Sequence, residues 1–311
     1  MSCFWVYPGQ GAQQPNMLHL LPDEPLIREC LREASDALNE DVMQLDTAQA
    51  LQSTRAVQLC LLIAGVACSR LLMAQGSTPD FVAGLSIGAY PAAVISGALG
   101  FADAVRLVAL RGELMQAAYP EGYGMTALIG LDQAVVEQMI ADVHGAQTPV
   151  YLANINADNQ FVIAGSVEAM AQVAELAKAQ GAATAKRLAV SVPSHCELLA
   201  EPAKTLAEAF SQVSVQAPGI RYLSGSTARP VLSADKLRDD LAFNMCRVID
   251  WRSTVQTAYE RGVRLQIELP PGTVLTGLAR RVFEQGSAVA FQGARLDTLS
   301  ALSREEERRN P

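Results

Sequence analysis

The feature that most constrains the fold is a five-residue motif, Gly84-Leu85-Ser86-Ile87-Gly88. A short apolar run at 81–84 precedes it, as in a buried strand, and a helical pattern at 87–96 follows it. Two glycines permit a tight turn from strand to helix that presents the serine at its apex, where it can act as a nucleophile. A turn with an incidental serine is the alternative, because the G-x-S-x-G pattern arises by chance in roughly one chain in ten of this length.

Elsewhere along the chain, short apolar strands alternate with helices. The pattern predicts strands at 4–7 and 265–269, and helices at 54–73 and 101–118. Buried strands that are separated by helices are typical of an α/β architecture with a parallel sheet.

Residues 124–192 follow a different pattern. Six elements are predicted there in the order strand, helix, strand, strand, helix, strand, at 126–130, 132–144, 150–154, 161–165, 167–180 and 185–192. This order predicts a small ferredoxin-like subdomain. The predicted architecture is therefore a large α/β-hydrolase-like catalytic body, formed by 1–123 and 193–311, with the subdomain at 124–192 inserted into it.

Charge and apolar patterning argue against two classes of function. The chain has 311 residues and a formal net charge of −8, without the basic excess of a nucleic-acid-binding protein. No membrane segment is predicted, because the apolar run at 59–73 contains Ser69 and Arg70 and is too short to span a bilayer. The amino terminus lacks the basic region and long apolar stretch of a signal peptide. The charged segment at 303–311 is interpreted as a solvated end.

Cysteine and histidine spacing gives no sign of a metal site. The six cysteines have no C-x-x-C spacing, and the three histidines have no H-x-x-x-H spacing. Reduced thiols in a cytoplasmic protein are the simplest interpretation. No Walker motif or dinucleotide-binding fingerprint is present, so we expect no permanently bound cofactor.

A nucleophilic serine needs a base, and His195 is the candidate. It lies in a loop after a predicted strand, where the catalytic groups of α/β proteins gather. His19, in a leucine-rich segment, and His144, at the end of a predicted helix, have structural explanations. The alternative for His195 is an ordinary residue at a helix start.

Acyl transfer also requires donors for a tetrahedral oxyanion. The backbone N–H of Ile87, directly after the serine, is the first candidate. The turn Gly9-Gln10-Gly11, after the first strand, is a candidate for the second, because glycines allow close backbone approach. A plain glycine turn fits this segment equally well.

Six groups of residues occur in a characteristic order. They are Pro8-Gly9-Gln10-Gly11-Ala12-Gln13; Gly84-Leu85-Ser86-Ile87-Gly88-Ala89-Tyr90; Leu110-Arg111-Gly112-Glu113-Leu114-Met115; Asn154-Ile155-Asn156 followed by Phe161-Val162-Ile163-Ala164-Gly165; Val192-Pro193-Ser194-His195; and Leu269-Pro270-Pro271-Gly272-Thr273-Val274-Leu275-Thr276-Gly277-Leu278. Each group is a modest signal by itself, but their order is highly specific. Over nearly its whole length, the chain resembles the malonyl-CoA:acyl carrier protein transacylases.

The resemblance implies a role for each matching residue. Ser86 would carry the acyl group, and His195 would be its base. The backbone amides of Gln10 and Ile87 would form the oxyanion hole. Arg111 would bind the free carboxylate of malonate, which a planar guanidinium matches with two hydrogen bonds. Without the family, Arg111 would be taken for a surface arginine on an amphipathic helix.

In this family a backbone carbonyl orients the histidine, in a segment that corresponds to 244–251 here. The resemblance places that carbonyl at Asp250. The usual Asn-Pro before this position is absent, and Arg247-Val248 stands there instead.

Two further positions depart from the family pattern. Leu85 and Ala89 stand where members commonly have histidine and glutamate. The resulting motif is similar to that of the malonate decarboxylase epsilon subunit. That transacylase relative loads malonyl from coenzyme A onto a dedicated carrier protein with a phosphoribosyl-dephospho-coenzyme A thiol. This subunit, with other malonate decarboxylase subunits as partners, is the leading identification, and the transacylase of fatty-acid synthesis is the alternative.

The implied reaction is a ping-pong transfer from malonyl-CoA, through malonyl-Ser86, to the prosthetic-group thiol of an acyl carrier protein. Two other classes remain open: a serine thioesterase or hydrolase with the same Ser86 and His195, and a non-catalytic scaffold subunit. Carrier proteins are usually acidic, so docking predicts a basic patch. The candidates, each of which is otherwise an ordinary solvated charge, are Lys178, Lys186, Arg187, Arg280 and Arg281.

Overall fold

A computed structural model describes residues 2–308. The strands in this part of the chain are β1 (Ser2–Tyr7), β2 (Phe81–Gly84), β3 (Tyr123–Ile129), β4 (Val150–Ala157), β5 (Gln160–Ser166), β6 (Thr184–Arg187), β7 (Arg221–Leu223), β8 (Pro230–Val231), β9 (Ile249–Asp250), β10 (Val263–Glu268) and β11 (Ser287–Ala290). The α-helices are α1 (Pro25–Leu38), α2 (Thr54–Ala74), α3 (Ala89–Ile95), α4 (Phe101–Ala118), α5 (Gln133–Val143), α6 (Val167–Ala179), α7 (Ala200–Ala209), α8 (Ala234–Phe243), α9 (Trp251–Glu260), α10 (Val274–Ala279) and α11 (Leu296–Arg308). The predicted α/β class is confirmed.

The larger sheet has six strands in the order β11-β10-β1-β2-β7-β8. Neighbouring strands are parallel except β7 and β8. Strand β1 is apolar on both faces because helices cover both: Trp5 and Tyr7 belong to the same core as α2, whereas Phe4 and Val6 pack in the core with α9 and α10. Since β1, β2 and β10 are parallel, their carboxyl ends meet at one edge of the sheet, where ligand sites of such folds form.

The smaller sheet has the strand order β6-β3-β5-β4-β9. From β3 to β6 the elements follow the order β3-α5-β4-β5-α6-β6, and α5 and α6 share a core with this sheet. Strand β6 ends at Arg187, not at 192 as predicted, because the chain beyond it turns so that Leu188 and Val190 line a cavity. Strand β9, which follows the insertion in sequence, pairs in parallel with β4. The sequence pattern did not predict this fifth strand.

Helix α2 is the most apolar long helix described. It has 21 residues and extends beyond the apolar run at 59–73, so the length of that run alone does not decide whether the helix could cross a membrane. It is the one helix within 2–308 that passes a test of length and composition for a membrane span, but 89% of its most apolar window is buried inside the protein. Burial on all sides is typical of a helix in the core of a globular domain.

The carboxyl-terminal charged segment is partly buried, contrary to its interpretation as a solvated end. Helix α11 packs against β1 and β10, and its Ser303 and Glu306 are only 1% and 8% exposed. The last three residues of that segment lie outside the described part of the chain. Despite its many charged residues, this segment belongs to an amphipathic helix, whose inner face includes the buried Leu299.

Candidate active site

Two glycines make the turn after β2 possible. A Cβ on Gly84 would lie 1.8 Å from the carbonyl carbon of Gly88, and a Cβ on Gly88 would lie 2.2 Å from the carbonyl oxygen of Tyr7. The chain can therefore fold back on itself only without side chains at these two positions. Ser86, between them, has a φ of +58° and is 8% exposed. The sequence motif is thus a strained turn that aims its serine into a cavity.

We expect Gly84→Ala to destabilise the protein by at least about 3 kcal/mol, because the methyl group would collide with backbone that has no room to move. The measurement is the free energy of unfolding in urea. Gly277→Ala is the matched control, since no atom lies within 4 Å of its Cβ position. Equal stabilities of the two variants would contradict this account of the turn.

His195 is held by two backbone carbonyls. Its N–H donates to the carbonyl of Met245 at 2.7 Å, and its ring Nδ1 lies 2.7 Å from the carbonyl oxygen of Asn244. Because a carbonyl only accepts, Nδ1 carries the proton and Nε2 keeps its lone pair. His195 is 3% exposed and lines the same cavity as Ser86, although no hydrogen bond joins the two side chains directly. A neutral imidazole with a free Nε2 is the form that a general base requires.

Burial lowers the pKa of His195 to about 4. The bond to the Asn244 carbonyl opposes this change, and the charge of Arg111 adds to it. Between about pH 6.5 and 4, the unfolded chain binds a proton that the folded histidine does not. The free energy of unfolding therefore decreases as the pH falls through this range.

If Ser86 is the acylated residue and His195 its base, as the resemblance implies, we predict an acylation rate that is nearly independent of pH from about 5 to 8 and falls only towards about pH 4, since the base stays neutral above its pKa. Rapid-quench measurement of the acylation rate across this range tests the prediction. A decline centred near pH 6.5, the ordinary histidine value, would contradict it.

The prediction that the Asp250 carbonyl orients the histidine is wrong. That carbonyl accepts a hydrogen bond from the hydroxyl of Thr254 at 2.7 Å, and the Asp250 carboxylate accepts one from the backbone N–H of Ser253 at 2.9 Å. Asp250 therefore caps α9. The orienting carbonyl belongs to Asn244, in the 3₁₀ turn Asn244–Cys246 that follows α8.

Arg111 is a completely buried cation next to the serine. From α4, it donates to the side-chain oxygen of Gln58 at 2.7 Å, to that of Asn244 at 3.0 Å and to the Ser86 hydroxyl at 3.3 Å. Its Nε has no partner, and no carboxylate among the side chains that the structure describes pairs with it. Burial lowers its pKa to about 10, so it remains charged at neutral pH. A buried charge without a counter-ion is costly, and the site is suited to an anion from outside.

The loop after β1 lies directly against the serine turn. A Cβ on Gly9 would meet the Leu85 side chain at 2.6 Å and the Leu85 carbonyl oxygen at 2.8 Å. Gln10 and Ile87, the two predicted oxyanion donors, line the same cavity as Ser86. Their role as donors stays a prediction.

The cavity has a volume of about 250 Å³ and includes residues that sequence reasoning did not assign to the site. Among them are Gln58, Asn154 and Asn156. The side-chain oxygen of Asn156 is buried and has no hydrogen-bond partner. The two asparagines are two apart on β4, a spacing that places both on one face of a strand and could have indicated a shared role. Within 2–308, no cluster of histidine, cysteine, aspartate and glutamate is arranged to hold a metal ion.

Residues 4–308 match the family model described as acyl transferase domain. The chain is 38% identical over 293 residues to the malonyl CoA-acyl carrier protein transacylase of Escherichia coli K12. The alignment covers 92% of this chain and 94% of that protein. The chain belongs to the malonyl-CoA:acyl carrier protein transacylase family. It is therefore an acyltransferase.

Solved structures of malonyl-CoA:acyl carrier protein transacylases share its two-sheet α/β fold. FabD of Acinetobacter baumannii superimposes with a TM-score of 0.93 at 35% identity, covering 98% of this chain and 99% of that one. A malonyl-transacylase solved in complex with its type II PKS acyl-carrier protein has a TM-score of 0.91 at 35% identity and covers all of both chains. The fold that brings Ser86, His195 and Arg111 together is thus the fold of this family.

Proposed function

We propose that this chain transfers malonyl groups from malonyl-CoA to the prosthetic-group thiol of an acyl carrier protein, through a malonyl-Ser86 intermediate. The observation that carries the proposal is the buried guanidinium of Arg111, which has no carboxylate partner among the described residues and donates to the Ser86 hydroxyl. An acyl group with a free carboxylate supplies the missing anion, whereas an acetyl group leaves the cation unpaired.

In the first half-reaction, Arg111 pairs with the malonyl carboxylate and places the thioester carbonyl over Ser86. The serine oxygen attacks that carbonyl carbon while His195 Nε2 takes the hydroxyl proton. The resulting oxyanion is stabilised by the backbone N–H groups of Gln10 and Ile87. The carbon–sulfur bond then breaks, and coenzyme A leaves with the proton that His195 returns to its sulfur.

The second half-reaction runs the same steps with a new thiol. His195 takes the proton of the carrier's prosthetic-group thiol, and the sulfur attacks the carbonyl carbon of malonyl-Ser86. Collapse of the oxyanion breaks the bond to Ser86 and returns the proton to the serine oxygen. The unpartnered oxygen of Asn156, in the cavity wall, is suited to accept from an amide N–H of the arm that both thiols share.

We favour the transacylase of fatty-acid synthesis over the epsilon subunit of malonate decarboxylase. Two of the relatives named above, from Escherichia coli K12 and from the complex with a carrier protein, are called transacylases, and each covers more than nine-tenths of this chain. The decarboxylase identification depends on Leu85 and Ala89 alone. Other decarboxylase subunits are accordingly not proposed as partners. The hydrolase and scaffold alternatives do not explain a buried cation at the nucleophile.

The carrier would dock on positive side chains near the cavity mouth. Arg280 borders a groove with Thr273 and Thr276, next to Val274 of the cavity wall. Lys178 is less suitable, because it pairs with Glu175 at 2.7 Å. Lys186, Arg187 and Arg281 stay predictions for the same patch.

We also infer the finer fold classification and the location in the cell. The antiparallel order β6-β3-β5-β4 supports a ferredoxin-like subdomain, and the parallel order β10-β1-β2-β7 supports an α/β-hydrolase-like body.

Six free cysteines, five of them buried, support a cytoplasmic location.

The test is the intact mass of the protein after exposure to malonyl-CoA or acetyl-CoA, followed by addition of a carrier. We expect one malonyl adduct and far slower formation of an acetyl adduct, and we expect a phosphopantetheine carrier of fatty-acid synthesis to remove the malonyl group. Preferential transfer to a phosphoribosyl-dephospho-coenzyme A carrier would support the decarboxylase subunit instead. Steady release of coenzyme A without an adduct and without a carrier would indicate a hydrolase, and neither adduct nor release would indicate a scaffold.

A further inference from the structure

Asn244 contacts the three main groups of the site. It is 2% exposed. Its backbone carbonyl accepts from His195 Nδ1 at 2.7 Å, and its side-chain oxygen accepts from Arg111 at 3.0 Å. Its side-chain nitrogen donates to the backbone carbonyl of Ser86 at 3.2 Å. One residue therefore joins the base, the buried cation and the turn that carries the nucleophile.

The backbone and the side chain of Asn244 bind different groups of the site. The histidine bond uses only the backbone carbonyl, so a substitution at this position leaves it in place. The side chain bridges Arg111 and the Ser86 turn, so it fixes the distance between the guanidinium and the serine. That distance decides whether one acyl group can reach both.

The groups that hold Arg111 are neutral. Gln58 and Asn244 each offer an amide oxygen, and Ser86 offers a hydroxyl. These acceptors orient the guanidinium without cancelling its charge, which stays available for an acyl carboxylate. A carboxylate at 244 would have nearly the same shape but would form an internal ion pair, and it would be unable to donate to the Ser86 carbonyl.

We propose that the Asn244 side chain is a positioning residue for carboxylate selectivity: it aims Arg111 at the acyl group on Ser86 while leaving its charge unpaired. This inference rests on the proposed malonyl transfer. The charge of Arg111 makes discrimination between malonyl and acetyl groups possible, and the neutral amide of Asn244 keeps that charge available for it.

The experiment measures kcat/KM for loading of malonyl-CoA and of acetyl-CoA by wild type, Asn244→Ala and Asn244→Asp. We expect Asn244→Ala to lower the malonyl-to-acetyl ratio by about tenfold or more, as for loss of a hydrogen bond to a charged group. We expect Asn244→Asp to lower it by about a hundredfold or more, chiefly through a higher KM for malonyl-CoA, since the new carboxylate competes with the substrate. Cys246→Ser, on the same turn, should leave the ratio unchanged, because its side chain bonds the carbonyl of Phe243.

A purely structural role would reduce loading of both thioesters alike. An unchanged ratio in both Asn244 variants would therefore overturn the inference, even if both rates fall. Should wild type fail to load malonyl at all, the proposed function would fail, and the two failures are thus distinguishable. Asn244→Asp is close to isosteric, so a folded variant is expected for the decisive comparison.

Discussion

Replacement of Ser86 by alanine should abolish the malonyl adduct and reduce malonyl transfer to the carrier by about 10,000-fold or more. No cysteine, the strongest alternative nucleophile, lines the cavity around Ser86. Cys196 and Cys246 are the nearest cysteines in sequence to His195 and Asn244, but burial raises the pKa of Cys196 to about 12 and also raises that of Cys246. Both thiols are therefore protonated at neutral pH and poor nucleophiles.

The Ser86→Ala measurement combines intact mass with steady-state transfer. Ser96→Ala is the matched control: it removes a buried serine hydroxyl whose bond is to the carbonyl of Ala93, just beyond α3 and outside the cavity. We expect this control to form the adduct as wild type does. A malonyl adduct on Ser86→Ala would assign the nucleophile to another residue and refute the proposed mechanism.

Replacement of Arg111 by alanine should lower kcat/KM for malonyl-CoA by about 100-fold to 1,000-fold, the usual cost of removing one member of a buried charge pair. Loading of acetyl-CoA should fall much less, because an acetyl group has no carboxylate to pair. Arg111→Lys should rescue only part of the loss. An ammonium keeps the charge but cannot bind Gln58, Asn244 and a carboxylate in one plane.

The control for this prediction is Arg106→Ala on the same helix. Arg106 is exposed and pairs with Asp103, so its removal should change neither substrate preference nor rate. Equal losses for malonyl-CoA and acetyl-CoA in Arg111→Ala would show that the guanidinium supports the fold of the site and does not select the acyl group.

Local patterns predicted the parts of the site that local chemistry determines. The serine turn needs two glycines within five residues, so Ser86 could be read directly from the sequence. The role of Arg111 could be predicted only from the family resemblance. The sequence of its helix does not separate a polar face from an apolar one, so nothing in it indicates that this arginine is buried. The orienting carbonyl could not be predicted, since every residue has one and only the tertiary fold brings that of Asn244, in the turn after α8, to His195.

The same limit explains two errors outside the site. Strand β9 has two residues and no pattern of its own, and it exists only because β4 lies beside it. The family resemblance places the histidine-orienting carbonyl at Asp250 by its position in the segment 244–251. As the residue before α9, however, Asp250 caps that helix. The charged residues at 303–306 indicated a solvent-exposed segment, but one face of α11 is buried there.

Strand β9 also limits how this protein can be divided or recombined. It fills an edge of the smaller sheet, and its chain runs from Asn244, in the active site, straight into α9 of the larger body. A chimera that exchanges only 124–192 between relatives would join a foreign β4 to a native β9 and disturb the segment that orients His195. Successful exchange of the smaller sheet requires the noncontiguous stretch 244–250 to travel with it.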